Sequence, residues 1–259
     1  MLSTITSNIR ESVLGGTSKY VRGGEPFGGA GVVVCARGER PDNVDGYVVV
    51  EAEDPALVSA VLFELRDALA SVMDLDLRER LYPEVGVAAR EACGLGVGPE
   101  RTVDVMLKAA ENALHAARRA YFAYGSNMDA AQMARRCPDA RLVGAVAADG
   151  WQLWMDQAGY ATIAEAPGER VEGALWDISV ADELELDRYE GVASGCYGKR
   201  AIHVTGDGVE GSPLVYVSLR TPVTMETLRE DYLERCMTAA RELGLEAAVA
   251  RLGSFGVAE

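Results

Sequence analysis

Histidine is scarce in this chain. Only His115 and His203 occur among 259 residues, and they lie far apart in sequence. That scarcity argues against a histidine-rich metal site and against a Ser-His-Asp triad with an imidazole to spare. No apolar run approaches the roughly 18–20 residues that span a bilayer. The N-terminus, Met1 to Arg10, lacks the basic start and apolar core of a signal peptide. The five cysteines (Cys35, Cys93, Cys137, Cys196, Cys236) are odd in number, scattered and without a CxxC pair. They read as reduced, mostly buried thiols of a cytoplasmic protein. Positive charge is also short: 25 basic residues against 40 acidic ones leave a net charge of −15. Nucleic acid and anionic membrane are therefore not expected partners, since both demand a positive face. The acidity itself is read as a solubility feature.

What is present suits a packed core. Hydrophobic residues make up 49% of the chain and charged residues 25%. Residues 3–14 predict a short helix, ended by Gly15-Gly16. Two β-rich runs follow, Gly31–Ala36 and Tyr47–Glu51, joined by a polar loop. Asp54-Pro55 marks a helix start, with Asp54 as cap and Pro55 at the first position. Leu57, Val61, Leu65, Leu69 and Val72 then recur at helical spacing. Val85–Ala88 predicts a short strand. Thr102 is read as the cap of a helix whose apolar face runs from Val103 to Ala117, with His115 at its edge as packing or surface. No Gly/Ser/Pro linker separates this helix from Tyr121, so a tight boundary near 119–120 is expected, with the two halves in contact.

In the second half, strands are expected over Ala140–Val146, Gly150–Trp154 and Ala161–Ala164, with a turn at Pro167-Gly168. Glu172–Ile178 reads as a strand and Ala181–Arg188 as an acidic helix. Ala201–Val204 and Leu214–Leu219 are further strands, and Thr224–Leu243 is an amphipathic helix closed by Gly244. Trp154 and Trp176 are read as strand residues in the core.

Two segments carry chemistry. Tyr121-Phe-Ala-Tyr-Gly-Ser-Asn127 reads as an apolar strand that breaks at Gly125 and opens into a helix capped by Ser126 or Asn127. Free N–H groups at such a joint favour an anion. The segment from Ala181 to Val192 is an acidic helix ending at Glu190, with Gly191 beyond it. Asp182, Glu183, Glu185 and Asp187 read as a solvated face. Glu190 sits where the chain turns back, and half-burial there pushes its pKa upward.

Together with Ala161-Thr-Ile163, Pro167-Gly168, Glu172-Gly-Ala-Leu-Trp176, Tyr189-Glu-Gly-Val192 and Ser194-Gly-Cys-Tyr197, these segments resemble the γ-glutamylcyclotransferase family in order and spacing. The resemblance covers residues 121 to about 255. It implies an α+β protein: a domain at 120–259 with a mixed, barrel-like sheet and flanking helices, preceded by a small α/β module at 1–119. It also implies a lyase or acyltransferase of glutathione metabolism. The α-amine of a small-molecule γ-glutamyl substrate attacks its own γ-carbonyl, pyroglutamate forms and the amine leaves. By the same resemblance Glu190 is the catalytic base and then acid, and no metal or cofactor is needed. Tyr121, Phe122, Ala123, Tyr124, Gly125 and Ser126 hold the γ-glutamyl part, the helix N-terminus after the loop favours the substrate carboxylate, and Tyr197 and Tyr232 match the family's tyrosines. Ser126 as a covalent nucleophile is a competing idea without a visible base partner. A non-catalytic small-ligand sensor built from two degenerate domains is the alternative from another class.

Residues 1–119 resemble the later part of a GGDEF diguanylate cyclase domain, through Val21-Arg-Gly-Gly-Glu-Pro-Phe27, Gly31-Val-Val-Val, the helix at 56–73, Glu84–Ala88 and Leu107–Arg118. Pro26 replaces an acidic residue, an earlier metal-binding strand has no room, and the run at 47–51 looks additional. The resemblance thus implies a module that has lost nucleotide cyclisation. A truncated layer exposes a strand edge, so docking or homodimerisation is its expected role.

Overall fold

The computed structural model describes residues 1–20, 28–29, 31–42, 44–223 and 229–255; the Gly-Gly-Glu-Pro-Phe segment and residues 224–228 lie outside this range. The chain divides into two compact units, Met1–Ala117 and Arg118–Glu259.

In the first unit, α1 (Leu2–Leu14) buries Leu2, Thr6, Ile9 and Val13 along one stripe. Strands β1 (Gly28–Gly29), β2 (Val32–Ala36) and β3 (Val48–Ala52) form a three-stranded sheet, with β2 and β3 parallel. Helix α2 (Pro55–Ala68) starts as expected: the Asp54 carboxylate accepts from Leu57 N at 3.0 Å. Helices α3 (Leu75–Gly94) and α4 (Pro99–Ala116) complete the unit.

Two local expectations are corrected here. Val85–Ala88 is not a strand but the middle of α3. Asp74 caps that helix, and Leu81, Tyr82, Val85, Gly86 and Ala89 are buried at three- and four-residue spacing, which a five-residue window cannot reveal. Gly86 lets α3 lie on the sheet, since a Cβ there would stand 2.8 Å from Val32 Cγ2. Thr102 is not a cap. The helix opens at Gly98-Pro99, and the Thr102 hydroxyl donates back to Gly98 O at 3.2 Å.

The second unit is built on a curled, half-barrel sheet with the strand order β7-β10-β4-β6-β5-β8-β9. Its strands are β4 (Arg118–Ala123), β5 (Arg141–Asp156), β6 (Ala161–Ser179), β7 (Tyr197–Ala201), β8 (Val204–Gly206), β9 (Val209–Gly211) and β10 (Leu214–Ser218). A short β11 (Pro222–Val223) also pairs with β5. The β4–β10 pair is parallel and the remaining pairs are antiparallel, so the sheet is mixed. Around it lie α5 (Ala130–Arg136), α6 (Val180–Tyr189), α7 (Glu230–Glu242) and α8 (Glu246–Ser254). The sequence reading did not anticipate α8.

Strands β5 and β6 are each longer than expected. The gap at 147–149 between two expected strands and the expected turn at Pro167-Gly168 both lie inside continuous strands. The register steps from Asp149↔Arg170 to Trp151↔Glu165, so these residues form a bulge that bends the ribbon without reversing it. The expected strand Ala201–Val204 straddles a gap between β7 and β8. Trp176 is buried, whereas Trp154 is half-exposed with the Arg251 guanidinium 5.1 Å over its ring.

The acidic face of α6 is the largest departure from expectation. Glu183 is 1% exposed and Asp187 7% exposed, so the face packs inward. Lys199 of β7 places Nζ 2.7 Å from Glu183 Oε1 and 2.8 Å from Asp187 Oδ2. Arg119 Nη1 stands 2.8 Å from Glu183 Oε2 as an ion pair, without hydrogen-bond alignment, and Tyr216 Oη donates to Asp187 Oδ1 at 2.7 Å. Ser179 and Asp182 close the front of α6 as a reciprocal capping box. These contacts fix α6 on the sheet and thereby fix whatever follows its last turn.

Two variants test this packing. Lys199→Ala leaves the buried Asp187 without its cation and Glu183 with Arg119 alone, and is expected to cost about 3–5 kcal/mol in urea unfolding. Gly173→Ala drives a Cβ into Ala123 O and to 2.7 Å from Phe122 Cε2, where β4 and β6 pair. A loss of about 3 kcal/mol or more is expected. At Gly144, where an added Cβ would meet no atom within 4 Å, the same change should move stability by less than about 0.5 kcal/mol.

Candidate active site

Strand β4 delivers Tyr121 and then Tyr124 to one end of the sheet, where the chain turns through Gly125 into a 3-10 turn, Ser126–Met128. Gly125 has φ −116°, which any residue can adopt. Its need for glycine is one of space: a Cβ would sit 2.9 Å from Tyr232 Oη and 3.4 Å from Ala161 Cβ. The helix that follows begins only at Ala130. Its cap is Asp129, which accepts from Ala131 N at 2.8 Å and Gln132 N at 3.1 Å, so neither Ser126 nor Asn127 caps it. The Asp129 carboxylate already occupies that helix end, which removes the expected role of the helix in holding a substrate carboxylate.

From the other side, α6 ends at Glu190. Gly191 takes the left-handed conformation (φ +63°) that closes the helix, and Cys196 N returns to Gly191 O at 3.0 Å. Glu190 thereby faces the loop. Asn127 Nδ2 donates to Glu190 Oε1 at 3.0 Å and to Tyr121 Oη at 2.9 Å. Burial raises the proton affinity of Glu190 above the usual carboxylate value. The Arg136 guanidinium and the Asn127 bond oppose that rise.

A cavity of about 850 Å³ opens here, within the range of small-molecule sites, roughly 300–1,000 Å³. Of the residues expected at the site, Tyr121, Tyr124, Gly125, Ser126, Glu190, Tyr197 and Tyr232 all line it. Phe122 and Ala123 do not line it, a correction. They are 0% and 2% exposed, packed into the core where β4 meets β6.

The tyrosines are framework as well as lining. Tyr197 Oη donates to Ala161 O at 3.0 Å, while Tyr232 Oη accepts from Ala161 N at 3.2 Å, so two phenols grip the backbone of one residue. Tyr124 Oη donates to Tyr216 O at 2.6 Å. Burial holds all of these phenols protonated well past neutral pH, which fits them for hydrogen bonding and not for proton abstraction. Ser126 Oγ accepts from Gln132 Nε2 at 3.0 Å and has no carboxylate or imidazole hydrogen-bonded to it among the described residues. His203 stands exposed, 3.5 Å from Glu210, and neither histidine lines the cavity.

Asn127 is the residue of this candidate site that the sequence reading missed. It is 4% exposed and uses all four of its amide hydrogen-bonding positions. Its place directly after Gly125-Ser126 was the available signal, but a cap was the simpler reading of an asparagine there. Arg136 and Arg220 also line the cavity, Arg220 Nη1 being 3.1 Å from the buried Asp156 carboxylate. Among the described residues no group of three or more His, Cys, Asp or Glu side chains is placed to hold a metal ion. No helix among them is long and apolar enough to cross a membrane.

By fold and site, the second unit is an α+β domain with a small-molecule-sized cavity organised around one carboxylate. Residues 121–234 match the family model described as gamma-glutamyl cyclotransferase, AIG2-like, and form a domain of that kind. A gamma-glutamylcyclotransferase of Bos taurus is 33% identical over 106 residues, which are 36% of this chain and 54% of the bovine protein. The Homo sapiens gamma-glutamylcyclotransferase is 32% identical over 87 residues, 30% of this chain and 46% of the human one. The chain thus spans about half the length of these curated relatives. Among solved structures, a gamma-glutamyl cyclotransferase aligns with a TM-score of 0.47 at 24% identity, covering 53% of this chain and 88% of that one. The family match does not extend to residues 1–119, where the GGDEF resemblance stands on the sequence alone.

The raised proton affinity of Glu190 has a consequence for stability. A group whose folded pKa exceeds its unfolded value, here the ordinary 4.5, stabilises most below the unfolded value. That contribution is lost as pH rises through the folded pKa. Glu190→Gln is therefore expected to match or exceed the wild type in thermal stability at neutral pH, with the difference shrinking as pH falls through the window above 4.5. A variant that is clearly less stable at neutral pH contradicts this reading of the carboxyl.

Proposed function

We propose that the second unit cyclises a γ-glutamyl amine or γ-glutamyl amino acid to pyroglutamate and releases the free amine. The observation that supports this most strongly is one carboxyl group of raised proton affinity, bonded to Asn127, sharing a cavity with the Gly125-Ser126 bend.

The chemistry needs little beyond that. The substrate enters with its α-nitrogen as an ammonium, which has no lone pair to attack with. Glu190 takes one proton, and the freed amine attacks the γ-carbonyl of the same molecule. A C–N bond forms, the five-membered ring closes, and the carbonyl oxygen gains negative charge. Among the described residues, the first loop N–H engaged in a turn is that of Met128, on Gly125 O. The N–H groups of Gly125 and Ser126 are thus the available donors to that oxygen, a role worth about 2.7–4 kcal/mol per donor where measured in other enzymes. The tetrahedral centre then collapses, the bond to the leaving amine breaks, Glu190 returns its proton to that nitrogen, and the ring nitrogen gives up its second proton to the same amine, which departs as an ammonium. One carboxyl serves both steps because its proton affinity lies above that of an ordinary glutamate. Both reacting groups belong to one molecule, so the cavity contributes mainly by holding the curled conformer.

Pyroglutamate release from a panel of γ-glutamyl dipeptides and amines, read by mass spectrometry, tests the proposal. Glu190→Gln should reduce turnover by about 10²–10⁴-fold while ligand binding in titration calorimetry persists. In the wild type, activity should fall on the acid side as Glu190 becomes protonated and can no longer accept a proton. A fully active Glu190→Gln protein overturns the assignment.

A further inference from the structure

The hydrogen bonds behind Glu190 all run in one direction. Arg235 Nη1, from α7, donates to Gln132 Oε1 at 2.9 Å. Gln132 Nε2 donates to Asn127 Oδ1 at 3.0 Å and to Ser126 Oγ at 3.0 Å. Arg136 Nη1 donates to the same Asn127 Oδ1 at 2.8 Å. Asn127 Nδ2 then donates to Glu190 Oε1 at 3.0 Å.

A guanidinium has donors and no acceptor. Arg235 therefore forces the Gln132 oxygen outward and its nitrogen inward. Arg136 and Gln132 together force the Asn127 oxygen away from Glu190 and its nitrogen toward it. Both amides are buried, at 3% and 4% exposure, so neither turns over without breaking the hydrogen bonds that hold it. Among the described residues Asn127 is the hydrogen-bond partner of Glu190, so the arrangement pins Oε1 and leaves Oε2 without one.

We propose that Gln132 and Arg235 are positioning residues: a one-way chain from the Arg235 guanidinium through two buried amides sets the polarity of Asn127, holds Glu190 as a carboxylate and keeps Oε2 free for the ligand. Burial alone would drive Glu190 toward its protonated form, which cannot act as a base. The chain is the counterweight. It also couples the carboxyl to α7, a helix that begins forty residues further along the chain at Glu230 and contributes Tyr232 to the same cavity.

The other groups around Glu190 do not supply this polarity. The phenols of Tyr121, Tyr124, Tyr197 and Tyr232 face it from β4, the loop, β7 and α7, and burial keeps them neutral. After β10, Arg220 is paired with Asp156 and donates to Cys196 Sγ at 2.9 Å. Glu230 and Asp231 open α7 as exposed carboxylates at the cavity rim. Arg229, just before α7, also lines the cavity, but its guanidinium donates to Ala158 O at 3.0 Å and lies over the Tyr160 ring. Arg136 of α5 acts through the Asn127 oxygen as well as through space.

The test reads the Glu190 carboxyl directly. Carbon-13 NMR titration of the glutamate side chains, with Glu190→Gln identifying the signal, gives its midpoint in the full chain without substrate. Gln132→Glu replaces the donor facing Asn127 by an acceptor and should raise the midpoint by roughly one pH unit, a tenfold change in proton affinity. Gln132→Met cuts the chain without adding charge and should raise it by a smaller amount. Arg235→Met, at an exposed position, should do the same if the Gln132 variants fail to fold. Arg235→Lys, which keeps the charge and a donor, should restore most of the wild-type value. Midpoints unchanged in the folded variants overturn the proposal, because a merely structural role lowers the melting temperature without moving this titration. The inference rests on Glu190 being the proposed base, yet the titration is independent of turnover. An active Glu190→Gln protein would end the catalytic reading, whereas an unmoved midpoint would end only this one.

Discussion

The hydrogen bond from Asn127 to Glu190 joins two segments that are sixty-three residues apart in sequence. Each segment arrives by its own route. Strand β4, central in the sheet, ends in a glycine turn that a side chain would block. Helix α6, pinned by charges buried against the same sheet, ends in a left-handed glycine. If either element shifts by a fraction of an ångström, the bond lengthens and the carboxyl is left in a poorly hydrated place with no donor. Such a group neutralises itself by taking a proton. The chemistry proposed for the cavity thus depends on a balance between burial, which protonates Glu190, and the Asn127 amide with Arg136 behind it, which resists.

The ionic layer beneath α6 gives that balance its rigidity. Lys199 and Arg119 face Glu183 and Asp187 where an exposed acidic face was expected. Buried ion pairs seldom add net stability over a hydrophobic alternative, but each partner becomes costly to remove. They therefore suit a task of orientation. The helix cannot rotate about its axis without separating those charges, and so the direction of Glu190 at its end is set. Tyr216 joins this layer to the cavity, since its hydroxyl reaches Asp187 while its ring lies edge-on to Tyr121.

Much of this was legible in the sequence where the signal is local. Asp54-Pro55 specifies a helix start through one carboxylate and one missing N–H, and both act as expected. Glu190 beside Gly191, and Tyr124-Gly125-Ser126 after an apolar run, could be singled out because glycine and polar residues at element ends have few other uses. What escaped was decided at a distance. Pro167-Gly168 looks like a reversal, yet the long neighbouring strand β5 holds it as a bulge. Val85–Ala88 has strand-like composition, and a cap eleven residues upstream makes it helical. Phe122 and Ala123 share a motif with cavity residues, but where β4 pairs with β6 both are buried in the core. Asn127 was visible as a polar residue in the right place. Its role required knowing that Gln132, Arg136 and Glu190 converge on it.

The central claim is that a γ-glutamyl group binds with its α-nitrogen on Glu190 and its γ-carbonyl on the loop. A crystal structure of the chain with a γ-glutamyl analogue that cannot cyclise tests it most directly. The account predicts the ammonium within hydrogen-bond distance of Glu190 Oε2, and the carbonyl oxygen on the N–H groups of Gly125 and Ser126. A ligand bound elsewhere, or one that leaves Glu190 turned away from its nitrogen, would contradict it.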